Sequence, residues 1–201
     1  MAILEHLAIS RAKVNLFKCL TIGCLFILIS CQNRETLIVN EQDNQLELHN
    51  GILKFQNKSF SGILVRFYNA GDMQSEINYI SGMKHGLERQ WYENGQLAIE
   101  RHYSKGYKIG LHKGWWENGL LKFEYTFNDK GAFNGNVKEW YAHGVLSMNF
   151  NYENGQEVGS QRLYNPDGRI KSNYEVVNGD RFGLIGLKTC YTVSINSDEV
   201  Q

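Results

Sequence analysis

The sequence is poor in the features that mark loop-rich linkers and charge-driven binding proteins. Its 201 residues include a single proline, Pro166, and equal numbers of basic and acidic residues, 21 of each. The low proline content argues against a linker-like chain. The charge balance provides neither a basic surface for nucleic acid nor a polybasic patch for anionic lipids, so nucleic-acid binding is not predicted.

Motifs for catalysis and metal binding are missing as well. The sequence contains no nucleophile-elbow or Walker-type glycine motif, and no two of its histidines have the short spacing of a metal-ligand pair. Glu76, Glu100 and Glu124 recur at one strand position, but Asn149 and Asn173 replace them further on, which favours a solvated strand face over acid–base chemistry. We therefore predict no catalytic residue, no metal site and no cofactor.

The longest apolar run, residues 19–30, is too short for a membrane-spanning helix, which needs about 20 apolar residues. Arg11, Lys13 and Lys18 precede this run and polar residues follow it, which is the layout of a secretory signal. The run ends in the sequence Leu-Ile-Ser-Cys, with the cysteine at Cys31, and resembles the lipobox of bacterial lipoproteins. The alternative is a buried helix with an incidental cysteine.

The lipobox resemblance implies that residues 1–30 are a signal peptide and that Cys31 carries a lipid. The mature protein is then expected at the cell envelope, anchored to the membrane on the outer-membrane or periplasmic side. Cys19 and Cys24 would be removed with the signal, which leaves Cys190 as an unpaired cysteine. We interpret Cys190 as a small buried residue.

Glycine, by contrast, is abundant and recurs in three series with a period of about 24 residues. The spacings in the first series are 24, 24, 25, 24 and 24. A fixed period of this length predicts a repeat architecture. The first series comprises Gly62, Gly86, Gly110, Gly135, Gly159 and Gly183; the second Gly71, Gly95, Gly119, Gly144 and Gly168; and the third Gly82, Gly106, Gly131, Gly155 and Gly179.

Aromatic residues follow the same period. An aromatic residue lies five positions after each of the first five glycines of the first series, at Phe67, Trp91, Trp115, Trp140 and Tyr164. Asn-Gly pairs such as Asn94-Gly95 favour tight hairpin turns, and residues 97–103 then alternate apolar and polar as a half-buried strand does. Each unit is predicted as strand, Asn-Gly turn, strand and a Gly-x-x-x-Gly connection.

The predicted fold is all-β: an elongated tandem array of about five antiparallel β-hairpin repeats, each about 24 residues long. Isolated hairpins are marginally stable, and stacking them allows each to cover its neighbour. The predicted segments are the signal peptide at 1–30, a tether at 31–49, an N-terminal cap or lead-in at 50–61, the repeats at 62–182, and a C-terminal cap and tail at 183–201.

Residues 51–187 resemble the bacterial variant of the MORN repeat, because they combine Gly-x-x-x-Gly, a Trp/Tyr pair, Asn-Gly and an alternating strand that ends in tyrosine. Proteins of this family are often labelled as antitoxins of the YwqK type of toxin–antitoxin system. The resemblance implies a scaffold of stacked hairpins, while the label implies a partner toxin.

A second aromatic series points to a ligand-binding surface. Adjacent strand residues face opposite sides of a sheet, so one aromatic series is expected in the core and the other facing a ligand; the alternative is that both series pack. The predicted ligand-facing aromatics are Tyr68, Tyr92, Trp116 and Tyr141. The predicted function is a non-enzymatic envelope scaffold that binds an unknown protein or surface ligand; the alternative is an antitoxin or immunity protein that neutralises a partner toxin.

Overall fold

The computed structural model describes residues 36–185, and all regular elements in that range are β-strands. The predicted signal peptide, the predicted lipidation at Cys31 and the lone Cys190 lie outside the described residues. The strands are β1 (Ile38–Asn40), β2 (Leu46–His49), β3 (Ile52–Phe55), β4 (Lys58–Ser59), β5 (Gly62–Phe67), β6 (Met73–Ile80), β7 (Met83–Trp91), β8 (Leu97–Ser104), β9 (Tyr107–Trp115), β10 (Leu121–Phe127), β11 (Phe133–Trp140), β12 (Leu146–Glu153), β13 (Gln156–Glu157), β14 (Gly159–Tyr164), β15 (Ile170–Val177) and β16 (Asp180–Leu184).

Thirteen of these strands form one open sheet. From β5 to β12 each strand pairs antiparallel with the next in the chain, β12 then pairs with both β13 and β14, and β15 and β16 complete the sheet. The hairpins β5–β6, β7–β8, β9–β10, β11–β12 and β14–β15 each contain one glycine of the second series at their turn. The all-β fold class and the tandem array of about five hairpins are therefore confirmed.

A smaller sheet of β2, β3 and β4 packs at the N-terminal end of the array. Val39, Phe60 and Leu64 form a buried apolar cluster, and side chains of the small sheet, including those of Leu53 and Phe55, pack against it. Strand β1 pairs in parallel with β5. Within the segment predicted as a tether, residues 38–40 and 46–49 thus form strands.

The two ends of each strand carry different hairpin turns. At Tyr92–Gly95 the glycine alone adopts a positive φ, 80°, and its N–H donates to the Tyr92 carbonyl at 2.9 Å, which is a type I turn followed by a left-handed glycine. At Lys105-Gly106 both residues have positive φ, 49° and 85°, as in a two-residue type I′ turn. The Gly-x-x-x-Gly segment is thus a hairpin turn itself, and the array is one continuous meander.

The first-series glycines lie inside strands rather than in turns. The pairing between β6 and β7 shifts opposite Gly86, between the pairs Ile77–Glu88 and Tyr79–Lys84. Gly86 has a φ of 85°, so it forms a β-bulge, which bends and twists the strand. Equivalent shifts occur beside Gly110 and Gly135.

The single spacing of 25 residues has a local cause. In the third unit the turn runs from Asn128 to Gly131, with Asn128 N–H donating to the Ala132 carbonyl at 2.9 Å. This turn contains one residue more than the type I′ turns at the same end of the other hairpins. The longer turn shifts all later glycines by one position.

The first aromatic series does not form the core. Trp91, Trp115, Trp140 and Tyr164 are half-buried, and Phe67 is 38% exposed. The expectation that these five side chains are core residues is therefore wrong. They lie at the strand ends, next to the turns, where a single sheet has least material to cover them.

Candidate functional site

A buried side chain lies two residues after each of the first five first-series glycines. These side chains are Leu64, Glu88, His112, Val137 and Gln161, with exposed fractions of 6, 1, 1, 3 and 0%. We call the side of the sheet that carries these five residues the inner face. Three of the five are polar, although buried polar groups are costly unless they are hydrogen-bonded.

Gln161 and His112 meet this requirement by completing the backbone pairing at a bulge. The Gln161 side chain accepts a hydrogen bond from Asn151 N–H at 3.1 Å and donates one to the Asn151 carbonyl at 2.9 Å. His112 Nε2 lies 2.8 Å from the His102 carbonyl oxygen and 3.2 Å from the His102 nitrogen. Gln161 therefore replaces two ladder bonds that the bulge removes. His112 replaces one, because a single ring nitrogen either donates or accepts, and both roles are structural.

Stability should depend on pH through His112. Burial lowers the pKa of His112 below its ordinary 6.5, so the unfolded chain binds the proton first as the pH falls. The contribution of His112 is then complete above about pH 7 and is lost as the pH falls through 6.5. His112→Gln, which reproduces the contacts of Gln161, is expected to reduce the change in urea midpoint between pH 7.5 and 5.5. An unchanged pH dependence would contradict this role.

Glu88 is the centre of a different arrangement. Its carboxylate accepts hydrogen bonds from Lys84 Nζ at 2.7 Å and Gln90 Nε2 at 2.6 Å, and Arg101 lies 3.7 Å away. Burial alone would raise the pKa of Glu88, but the hydrogen bonds from Lys84, Gln90 and Tyr103 outweigh it and lower the pKa. Burial and the Glu88 carboxylate together raise the pKa of Tyr103 to about 12.

A cavity of about 430 Å³ opens over this cluster. A second cavity, of about 650 Å³, shares Glu41, Arg66, Tyr68 and Gln74 with the first. We call the two together the groove. The lining of the groove includes the side chains of Glu41, Arg66, Tyr68, Lys84, Glu88 and Tyr92.

The four predicted ligand-facing aromatics tie successive units together. Each donates a hydrogen bond to the carbonyl of the first-series aromatic one unit further on: Tyr68 to Trp91 at 2.8 Å, Tyr92 to Trp115 at 2.9 Å, Trp116 to Trp140 at 3.0 Å and Tyr141 to Tyr164 at 2.8 Å. All four are half-buried. Their polar atoms therefore have a partner within the protein, while their role towards a ligand stays a prediction.

These four aromatics have different surroundings. Tyr68 and Tyr92 line the groove. Lys122 Nζ lies 4.4 Å from the centre of the Trp116 ring, and His143 stacks on Tyr141 at 5.7 Å. Tyr68 and Tyr92 thus lie at the groove, whereas the rings of Trp116 and Tyr141 each pack against another side chain.

The other face of the sheet carries the row of carboxylates noted in the sequence. Cross-strand pairing interleaves Glu76, Glu100 and Glu124 with Arg89, Lys113 and Lys138. Arg89 lies 3.1 Å from Glu100, and Lys113 lies 3.3 Å from Glu124. Glu100 and Glu124 therefore form ion pairs with basic residues on adjacent strands, and Glu76 lies opposite Arg89 in the strand register. Within residues 36–185, no three His, Cys, Asp or Glu side chains come together as a metal site would require.

Residues 84–105 match the family model of the MORN repeat variant. The match covers β7, its type I turn and β8, which together form one unit of the array, and it supports a relation to the MORN-repeat family. MORN repeats are generally non-catalytic. The comparison with curated proteins gave no match. The part of the chain that the structure describes has no helix long and apolar enough to cross a membrane.

The cluster around Glu88 lies within the unit that this family model matches, and sequence reasoning did not single it out. The sequence does contain a sign that this position is unusual. The position two residues after the first-series glycine holds apolar residues in two units and polar residues in three. Glu88 and Lys84 lie on either side of Gly86 in sequence. The contact of Glu88 with Arg101 depends on the register of β8, which the sequence alone does not specify.

Proposed function

We propose that the protein is a non-enzymatic scaffold that binds a ligand in the groove on its inner face. The observation that carries the proposal is the combination of a concave site with the buried, hydrogen-bonded Glu88 cluster at its base. Ligand sites are typically concave and combine aromatic walls with a few well-placed polar groups. Tyr68 and Tyr92 supply the walls, and their hydrogen bonds hold them in place.

We also propose that a lipid on Cys31 anchors this scaffold at the cell envelope. The support is the signal-like run 19–30 that ends at the lipobox-like cysteine. Intact mass spectrometry of the mature chain is expected to show an acylated N-terminal Cys31. A chain in which an unmodified Cys31 is still joined to Ser30 would refute the anchor.

Ligand binding at the groove is tested by sedimentation with envelope fragments of the producing bacterium. The full chain with Cys31→Ser is used, so that no lipid causes sedimentation. We expect this protein to sediment with the fragments and Tyr92→Leu to lose most of that binding. Tyr141→Leu is the matched control, because it removes an equivalent hydrogen bond outside the groove. Equal binding by both variants would contradict a site in the groove.

The alternative, an antitoxin-type protein, predicts a different result. A toxin would be blocked by a broad protein surface, since protein interfaces bury about 800 Å² on each partner. Binding to a purified toxin from a neighbouring gene that survives Tyr92→Leu would support this alternative over the groove.

A further inference from the structure

The charges in the groove balance one another. The residues that line its two cavities include three acidic side chains, Glu41, Glu88 and Glu93, and three basic ones, Arg66, Lys84 and Lys122. Arg66 pairs with Glu41 and Lys84 pairs with Glu88, while Lys122 lies over an aromatic ring. The three acidic and three basic side chains sum to zero, so the groove offers no net electrostatic attraction to an anionic or a cationic ligand.

The floor of the groove also disfavours an extended peptide and an acyl chain. The groove residues of β5 to β8 belong to strands that pair on both sides, so no free strand edge is available for adding a peptide strand. An acyl chain would bury the exposed charges of Glu41 and Arg66 against hydrocarbon, with no hydrogen bonds in return. A neutral ligand with many hydroxyl groups avoids both costs, because each hydroxyl both donates and accepts.

The two tyrosines add a geometric preference. Tyr68 and Tyr92 occupy equivalent positions in successive units, and two strand spacings separate such positions by about 10 Å. This distance is close to the length of a disaccharide in an extended, β-linked chain. The tyrosine hydroxyls already donate to backbone carbonyls, so the rings are fixed and offer apolar faces to the C–H groups of sugar rings.

We propose that the groove binds a neutral, extended β-linked oligosaccharide that runs across the strands from one unit to the next. This inference rests on the proposed function of the groove. Tyr68 and Tyr92 stack on alternate sugar rings. The exposed pair of Glu41 and Arg66, together with Lys84, exchanges hydrogen bonds with the hydroxyl groups while keeping its ion-pair partners.

The test is isothermal titration calorimetry of the full Cys31→Ser chain with four tetrasaccharides. Two are neutral β-1,4-linked tetramers, of glucose and of N-acetylglucosamine; one is the cationic tetramer of glucosamine; and one is an anionic tetramer of glucuronic acid. We expect at least one neutral tetramer to bind about tenfold more tightly than either charged one. Tighter binding of a charged tetramer, or no binding of either neutral one, would overturn the proposal.

Three variants, with folding checked by circular dichroism, distinguish the tyrosine ring from its hydrogen bond. Tyr92→Leu is expected to weaken binding of the neutral tetramer about tenfold, the loss of one stacking contact. Tyr92→Phe keeps the ring and is expected to retain affinity within about threefold, and Tyr141→Leu is expected to leave it unchanged. Equal losses in Tyr92→Leu and Tyr141→Leu would overturn the stacking role.

The sedimentation experiment separates this inference from the proposed function. Binding to envelope fragments that depends on Tyr92 and is lost after digestion with glycosidases that cleave β-1,4-linked glucose and N-acetylglucosamine chains supports both. Tyr92-dependent binding that resists these glycosidases but is lost after protease treatment would refute the glycan and leave the groove as a protein-binding site. Binding that is independent of Tyr92 would refute both.

Discussion

Replacement of Glu88 by alanine is expected to lower the free energy of unfolding by about 3 kcal/mol, the range for removing one partner of a buried ion pair. Glu88 is 1% exposed, and it is the acceptor for Lys84 and Gln90. Alanine would leave both donors without this acceptor and would open a void beside Tyr103. Urea unfolding followed by tryptophan fluorescence measures the loss. A change below about 0.5 kcal/mol, the range of ordinary surface substitutions, would contradict the role given to Glu88.

Two further substitutions separate the contributions of charge and of side-chain volume to this loss in the free energy of unfolding. Leu64 occupies the equivalent position in the first unit, so Glu88→Leu fills the void and is expected to cost less than alanine. Glu88→Gln keeps the volume and removes the charge. Because the pKa of Glu88 is lowered in the folded state, its contribution is present above the unfolded pKa, near 4.5, and is lost as the pH falls through the lower folded value. That acid-induced loss should be smaller in Glu88→Gln.

The number of hairpins was predictable because glycine marks positions where the backbone needs a positive φ, and such positions recur with the repeat. Gly95 and Gly106 both have φ near 80°, and both were recognised as periodic. The kind of turn was not predictable from Asn-Gly alone. Asn94 stays outside the positive-φ region, whereas Lys105, a residue with no special preference for it, adopts 49°.

The groove was less predictable, because its residues meet through strand register rather than through sequence spacing. Glu88 faces Arg101 across β7 and β8, and a bulge at Gly86 shifts the pairing with β6. The same holds for the opposite face. Glu76, Glu100 and Glu124 share a sequence period, but the basic side chains between them become neighbours only once the strands pair.

The N-terminal segment differs from the array for a related reason. Residues 38–40 lie outside the glycine period, and most residues of the segment 31–49 are polar, so the sequence predicted a tether there. In the structure Val39 is 5% exposed, because β1 pairs in parallel with β5 and places this side chain in the cluster with Phe60 and Leu64. Ile38 and Val39 are both apolar but only Val39 is buried, and three residues are too few for sequence analysis to detect an alternating pattern.

Gly82 is where the small sheet meets the array, and Gly82→Ala is expected to destabilise the protein by on the order of 4 kcal/mol, a loss beyond that of most single substitutions. Gly82 N–H donates to the Phe60 carbonyl at 2.7 Å, and its own carbonyl accepts from Leu53 N–H at 2.9 Å. A Cβ on Gly82 would lie 2.7 Å from the Leu53 carbonyl oxygen and would also clash with the Ile52 side chain. The backbone hydrogen bonds between the turn at Gly82 and the small sheet would have to break.

Gly106→Ala is the matched control, since Gly106 occupies the same turn position one unit later. Its φ of 85° is close to the 79° of Gly82, and nothing lies within 4 Å of an added Cβ. Both variants therefore place an alanine in the left-handed backbone conformation, at the same cost of about 1–2 kcal/mol. Only Gly82→Ala also loses the contact with the small sheet. The amide of Leu53 should exchange faster with solvent in Gly82→Ala and unchanged in Gly106→Ala. Equal stability losses and equal exchange in the two variants would mean that the small sheet contributes nothing at this turn.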